Sequence, residues 1–409
     1  MRETVALLAG LMALNAFAID AMIPALPAIG ADLDVAEDNR RQLVVVAYMF
    51  GFGFGQLFWG PLADRFGRKP ILGVGVALYA AFGLLCGIAE DFTLLIAGRV
   101  AMGAAAAVTR VLVVAMVRDL FEGEAMARIM SLVFMVFMVV PVVAPSVGQA
   151  ILLVAPWRAI FWILAGYGLV MLIWAFARLP ETLHPEFRRS LDPGMIARAA
   201  KAVAADRLSL GYTLALTAVF GGLTAYLTSI QQIVFDAFGA PDAIGLVFAA
   251  VAAPMALASW ANSRIVGRFG LRRVGHSGLF AFVVVTVAHA LLAFVIDEPL
   301  WLFALLMSLA MCAFAFTSAN LGTLAMTNMS AIAGTASSVQ GVTGTIGGAL
   351  LGLFIGQAFD GTARPFLISL SVCATAALLI LFWTERGRLF GAIERNEAVP
   401  AADSSPPLT

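Results

Sequence analysis

The sequence predicts an all-α integral membrane protein with about twelve spanning helices in two similar six-helix bundles. Three observations predict it. Of 409 residues, 62% are hydrophobic and 12% charged, whereas soluble domains carry about 25% charged residues. Apolar runs of about 20 residues, enough to cross the hydrocarbon core of a bilayer, recur along almost the whole chain. A polar motif also repeats: Asp64-Arg65-Phe66-Gly67-Arg68-Lys69 follows the second run, and Gly267-Arg268-Phe269-Gly270-Leu271-Arg272 follows the eighth, 203 residues later. Two halves in the same orientation follow from that spacing.

Taken in order, spans are expected near 5–29, 41–63, 71–89, 92–117, 129–151 and 159–178, then near 209–235, 243–263, 275–296, 300–323, 335–357 and 365–384. This gives an N-terminal bundle over 1–178, a polar linker over 179–208, a C-terminal bundle over 209–384 and a tail over 385–409 whose Pro/Ser-rich end is expected to be disordered. Nineteen of the 25 Lys and Arg residues fall in the loops of one side; Arg40, Arg41, Arg158 and Arg364 fall on the other. The basic side is therefore expected to be cytoplasmic, with both termini on it. Arginine outnumbers lysine 23 to 2, a weak sign of a bacterial inner membrane.

Composition also excludes. A net charge of zero argues against a nucleic-acid binder. Cys86, Cys312 and Cys373 each sit in an apolar run and read as small buried hydrophobes, not metal ligands or a disulfide framework. The first run is too long for a cleavable signal and carries an acid. With no metal-ligand cluster, nucleophile–base pair or nucleotide loop, an enzyme is disfavoured, and energy for any transport must come from a gradient, here expected to be protons, with no cofactor.

The first span holds the most informative residue. Asp20 lies well inside it, and Pro24 and Pro27 follow, each removing a backbone donor and loosening the helix. A carboxylate at that depth costs several kcal/mol unless paired, protonated or wetted, which marks a functional site; the alternative is a helix that ends early with Asp20 near water. Arg99 in the fourth span lies at a similar depth from the same side, so a pair or shared network with Asp20 is expected. Arg110, eleven residues on, falls on nearly the same helix face as Arg99 and would favour anionic or zwitterionic cargo if that face lines a cavity. Snorkelling to the interface is the equally weighted alternative.

Other polar residues within spans are candidate cargo contacts: Tyr226, Gln231, Gln232 and Asn15. His289 reads as a packing group. Gly51 and Gly55, and Gly344, Gly348 and Gly352, form i, i+4 stripes that let helices approach closely.

Several stretches together resemble a known family. Gly60-Pro61-Leu62-Ala63-Asp64-Arg65-Phe66-Gly67-Arg68-Lys69 resembles the motif A loop of the major facilitator superfamily. Arg99-Val100-Ala101-Met102-Gly103 resembles its motif B, and Pro141 with Ala144-Pro145-Ser146-Val147-Gly148 its antiporter motif C. Asp20 with Pro24-Ala25-Leu26-Pro27, Arg118-Asp119, Pro180-Glu181-Thr182-Leu183 and Ala333-Gly334-Thr335-Ala336-Ser337-Ser338 are similar to the Bcr/CflA-like (bicyclomycin/chloramphenicol resistance) branch of drug:proton antiporters.

The resemblance implies the major facilitator fold and alternating-access export of small organic compounds in exchange for protons. Apart from the resemblance, Arg99 would favour the charged carboxylate at Asp20 while desolvation favours the protonated acid, and switching between the two as a cavity opens would make Asp20 a proton carrier; a static buried pair is the alternative. The resemblance also implies a gating loop of Gly60, Asp64, Arg65, Gly67, Arg68 and Lys69 with Asp119, in which Asp64 latches to the start of the eleventh span near Gly334-Thr335. An acid at a helix N-terminus gains roughly 0.3–1 kcal/mol. Motif C departs from the usual pattern at Ala144 and Gln149, which leaves proton-coupled uptake of a nutrient or organic anion open; a receptor or membrane enzyme is the remoter alternative. The expected partners are a small-molecule substrate, protons and the bilayer, with no nucleic acid, and the chain is expected to act as a monomer.

Overall fold

The computed structural model describes residues 2–121, 123–184, 186, 193–329 and 332–390. The end of the tail, expected to be disordered, lies outside them. The first half comprises α1 (Arg2–Asp20), the short α2 (Leu26–Asp32), α3 (Leu43–Phe66), α4 (Arg68–Gly87), α5 (Phe92–Leu120), α6 (Gly123–Leu152) and α7 (Arg158–Arg178). α8 (Pro193–Ala205) links it to α9 (Arg207–Gln232), α10 (Ile244–Phe269), α11 (Leu271–Val295), α12 (Leu300–Ala325), α13 (Ala333–Gln357) and α14 (Arg364–Thr384). Eleven helices among the described residues are long and apolar enough to cross a membrane. α6, with an apolar C-terminal part over Val139–Leu152, supplies the twelfth element of the pattern.

The outer surface shows why these helices need lipid. Val170 and Ile173 on α7, Leu246 and Leu257 on α10, Leu291 and Val295 on α11 and Leu379 on α14 are all exposed. In water such a girdle would be a large unpartnered apolar surface; in a bilayer it is the correct solvent.

The polar linker contains a helix, α8. Its Ala199 and Val203 lie four apart and are buried, Val203 against Met329 and Ala336, while Arg198 and Lys201 face out. The stripe is too short to stand out among the charged residues around it.

Each bundle is held by close helix packing. In the first half α3 lies on α5 so tightly that a Cβ at Gly51 would fall onto the Val100 carbonyl oxygen, and one at Gly103 onto that of Tyr48. Gly55 meets Ala104 in the same seam. In the second half Gly348 and Gly352 pack on Phe220 and Thr224 of α9, with Gly344 beside Phe220. The glycine stripes therefore serve packing inside each half. The α3–α13 contact between halves uses another face of α3, where Gly53 meets Ile346 and the Gln56 amide donates to Thr345 Oγ1 at 3.3 Å. α6 against α10 is the second seam between halves.

The loops of the repeated motif have the same shape. Gly67 caps α3 at φ 103° and Gly270 caps α10 at φ 84°. Both are positive values that favour glycine, so the repeat seen in the sequence is a repeat of backbone conformation.

Candidate functional site

α1 ends at Asp20, the chain turns through Ala21 and Met22, makes one 3-10 turn over Ile23–Ala25 and resumes as α2. Pro24 and Pro27 sit early in those two short helices, where a missing donor costs least. The turn that follows Asp20 packs against α6 and α9. Next to it, a Cβ at Gly148 would fall onto the Ala21 carbonyl oxygen, so only glycine lets motif C approach the end of α1.

Asp20 is 3% exposed and has no hydrogen bond or ion pair among the described residues. Its carboxyl stands close enough to the Tyr226 phenol of α9 for the two to interact electrostatically. The Tyr226 hydroxyl is buried and likewise without a partner. One group from each half thus lies within electrostatic reach of the other, the Tyr226 hydroxyl being buried and unpaired. Buried polar groups are almost always satisfied, and exceptions ask for an explanation.

The expected Asp20–Arg99 pair is not formed. Arg99 is fully buried; its Nε donates to the Val44 carbonyl at 2.8 Å, and its guanidinium lies 4.4 Å over the Tyr48 ring and 5.8 Å from that of Phe161. Equal depth along two helices does not fix the direction of a side chain. Arg99 looks toward α3 and α7, whereas the turn after Asp20 packs against α6 and α9. A second guanidinium nitrogen, Nη2, is buried without a partner.

Asn15 is engaged rather than free. It donates to Thr109 Oγ1 at 2.8 Å and accepts from the Tyr48 hydroxyl at 3.1 Å, tying α1, α3 and α5 together. Gln231 is buried with an unpartnered Nε2.

Arg110 stands apart. Its neighbours in sequence fix its direction: Thr109 meets Asn15 of α1, Val111 lies beside Gly60 of α3, and Val108 packs on Gly75 of α4. At 100° per residue, Arg110 points between α1 and α3 and away from α4. It is partly buried and makes no hydrogen bond or ion pair among the described residues.

Gln232 belongs to a closure between the halves. Gln42 Nε2 donates to Gln232 Oε1 and to the Gly356 carbonyl (3.0 Å). Gln232 Nε2 donates to Asn39 Oδ1 at 2.8 Å. Asn39 Nδ2 donates to the carbonyls of Gln357 and Phe359, both at 3.0 Å, and Gln357 Nε2 returns a bond to the Asn39 carbonyl at 2.7 Å. Nearby, Gly245 of α10 meets Ser146 and Gln149 of α6. All of this lies at the arginine-poor end. The sequence offered no sign of Asn39 or Gln42 beyond their place at the edge of a span.

At the basic end, Asp64 pairs with Arg68 at 2.6 Å rather than with the start of α13, where Gly334 has open space around it. Arg68 also reaches Asp119 at 3.3 Å, and Thr182 donates to Asp119 at 3.0 Å. Glu181 accepts from the backbone N–H groups of Arg68, Lys69 and Leu183 at 2.9, 3.2 and 3.0 Å, gripping the turn that carries Gly67. Arg65 is exposed and lies over Phe66. The motif A loop is thus fastened within its own half. Among the described residues no ion pair joins the halves at the basic end, as fits a molecule closed at the opposite end. Pro141 and Pro145 lie inside α6, Pro145 buried.

The arrangement is that of a two-bundle carrier, and comparison decides the family. Residues 8–352 match the family model described as Major Facilitator Superfamily. The chain belongs to the Major Facilitator Superfamily. It is 31% identical over 368 residues to a bicyclomycin resistance protein homolog of Haemophilus influenzae, covering 90% of this chain and 92% of that one. It is 35% identical over 164 residues to the multidrug resistance protein MdtL of Escherichia coli, covering 40% and 42%. The narrower resemblance to the bicyclomycin-resistance branch is therefore borne out. Among solved structures, a D-xylose-proton symporter superposes with a TM-score of 0.74 at 15% identity, over 92% of this chain and 96% of that one, which speaks to the fold. This facilitator-superfamily chain is a multi-pass membrane transporter and not an enzyme.

Proposed function

We propose that this transporter exports small organic compounds in exchange for protons, using no cofactor, with its basic face and both termini on the cytoplasmic side of a bacterial inner membrane. The observation that carries the reading is Asp20: a buried carboxyl without a hydrogen bond or ion pair among the described residues, within electrostatic reach of Tyr226 of the other half. An acid held apart from competing charges exchanges its proton as access to water changes. One located where two rigid halves part or meet feels that change directly. Arg99, held by Val44 and Tyr48, acts by bracing α5 and α3 rather than by pairing with the acid. The names of the relatives, bicyclomycin resistance and multidrug resistance, support small organic compounds as cargo. The free guanidinium of Arg110 supports a preference for anionic or zwitterionic members of that class.

The test is proton flux in proteoliposomes, followed with a pH-sensitive dye while anionic, cationic and neutral compounds are added in turn. Cargo-driven proton movement opposite to cargo identifies antiport; movement with cargo would identify uptake by symport. Asp20→Asn should abolish pH-driven transport and keep cargo counterflow, which moves no net proton. Arg110→Gln should weaken transport of anionic compounds alone. Proton-driven accumulation that survives Asp20→Asn would overturn the assignment of the carrier.

A further inference from the structure

Outside the transport path, the basic end of the second half carries a cavity of about 500 Å³ lined by Asp206, Arg207, Asn328, Glu385, Arg386 and Arg388. Its two acids are already used. Asp206 Oδ1 accepts from the Ser209 N–H at 2.7 Å and Oδ2 from Asn328 Nδ2 at 2.9 Å. Glu385 is buried, accepts from the Tyr212 hydroxyl and pairs with Arg272 at 3.4 Å. The cations are less engaged. Arg207 gives Nε and Nη2 to the Thr384 carbonyl at 3.2 and 2.6 Å, which leaves Nη1 to spare. Arg386 and Arg388 are exposed and make no side-chain hydrogen bond or ion pair among the described residues.

The internal repeat sharpens the point. Counting 204 residues back, Arg207 corresponds to Glu3, Phe382 to Arg178 and Glu385 to Glu181. In the first half Glu3 pairs with Arg178 at 3.0 Å and accepts from Trp174 Nε1 at 3.2 Å, so that edge neutralises itself. In the second half the acid has become an arginine and its partner a phenylalanine. The same corner of the fold is therefore cationic and open in one half and closed in the other.

The cavity opens where the bilayer surface must lie. Ile368, Val372, Leu379 and Trp383 form one exposed stripe down α14, which is its lipid face, and Trp383 (54% exposed) ends it. The Arg207 guanidinium stands 5.8 Å from that indole ring. Tryptophan at the end of a spanning helix marks headgroup level, and basic pockets between helices on the cytoplasmic side hold anionic headgroups. We propose that this cavity binds the phosphoryl headgroup of an anionic phospholipid of the cytoplasmic leaflet, with Arg207, Arg386 and Arg388 on the phosphate and Trp383 against the glycerol and upper acyl region. Guanidinium groups suit phosphate because their planar N–H forks match its oxygens.

The test uses the full chain, delipidated in detergent, with native mass spectrometry and thermal melting as readouts. Dioleoyl phosphatidylglycerol, dioleoyl phosphatidylcholine and inorganic phosphate are titrated in parallel. One phosphatidylglycerol should be retained at least tenfold more tightly than phosphatidylcholine and should raise the melting temperature. The double variant Arg386→Gln/Arg388→Gln, at two exposed positions, should lose that preference and that rise while melting normally without lipid. Arg207→Gln should deepen the loss. Equal retention of the two lipids, or unchanged phosphatidylglycerol binding in the double variant, would overturn the proposal. Stabilisation by inorganic phosphate that vanishes in the double variant would assign the cavity to a soluble anion and overturn the lipid.

Discussion

Asn39→Ala is the sharpest probe of how the halves close. The Asn39 side chain makes three bonds to the second half: to the carbonyls of Gln357 and Phe359, and from Gln232 Nε2. Alanine removes all three and leaves the bond from Gln357 to the Asn39 backbone carbonyl. An intramolecular hydrogen bond contributes about 0.5–1.5 kcal/mol net. Asn39 is only partly buried, so water replaces part of the loss and the lower part of that range applies. Three bonds at about 0.5–1 kcal/mol sum to roughly 1.5–3 kcal/mol. At about 1.4 kcal/mol per factor of ten, the equilibrium should move roughly 10- to 100-fold toward molecules parted at the arginine-poor end.

The assay is a distance distribution by pulsed electron resonance between spin labels at Val154→Cys and Asp297→Cys. Both positions are exposed, and they lie in different halves at that end. Cys86, Cys312 and Cys373 are first replaced by serine or alanine. The Asn39→Ala protein should show a longer-distance population absent or minor in the parent. An unchanged distribution would refute the view that these amides hold the closure.

Two further predictions concern packing and the basic turn. Gly51→Ala places a Cβ on the Val100 carbonyl oxygen and 2.7 Å from its carbon, all backbone, so α3 and α5 must separate; the cost of overpacking is about 1–3 kcal/mol. It should lower the melting temperature by several degrees, whereas Gly267→Ala, with nothing within 4 Å, should leave it unchanged; equal melting of the two would refute the tight seam. Glu181→Gln weakens three charge-assisted bonds to backbone N–H groups, each bond to a charged group contributing about 1.5–3 kcal/mol. Amide hydrogen exchange at Arg68, Lys69 and Leu183 should accelerate, and unchanged exchange would refute the grip.

The fold was legible because lipid imposes long apolar runs and a repeat imposes a constant offset. The 203-residue spacing of the two glycine turns survives as two matching positive φ values. Pro24 and Pro27 announced the break after Asp20. What pattern could not supply was direction around a helix axis. Asp20 and Arg99 share a depth, yet Arg99 is held by α3 and α7 and the two do not pair. Gln232 looked like a cargo contact because it is polar and near a span's end; the same description fits a closure residue, and only its partners Gln42 and Asn39 decide. Likewise, Gly51 and Gly55 announced close approach but not to which helix. The helix α8 inside the linker left only a faint pattern, two buried residues four apart among arginines and prolines.

The chemistry of the two ends differs in a way that bears on coupling. The hydrogen bonds placed between the halves are made by neutral amides and carbonyls of Asn39, Gln42, Gln149, Gln232 and Gln357, with Gln56 deeper in. The charged contacts of the basic turns, Arg68 with Asp64 and Asp119, and Arg272 with Glu385, lie within one half each. A closure of neutral bonds worth about 1 kcal/mol apiece can open and close often, and none of them titrates between pH 5 and 8. A pH gradient can bias such a closure only through a titratable group that feels whether the halves are apart. Our proposal gives that part to Asp20, a buried carboxyl next to the Gly148–Ala21 contact and within electrostatic reach of Tyr226. Under the proposed proton coupling no charged latch is required: the amides would make the closed state reachable, and the protonation of Asp20 would set how long it lasts.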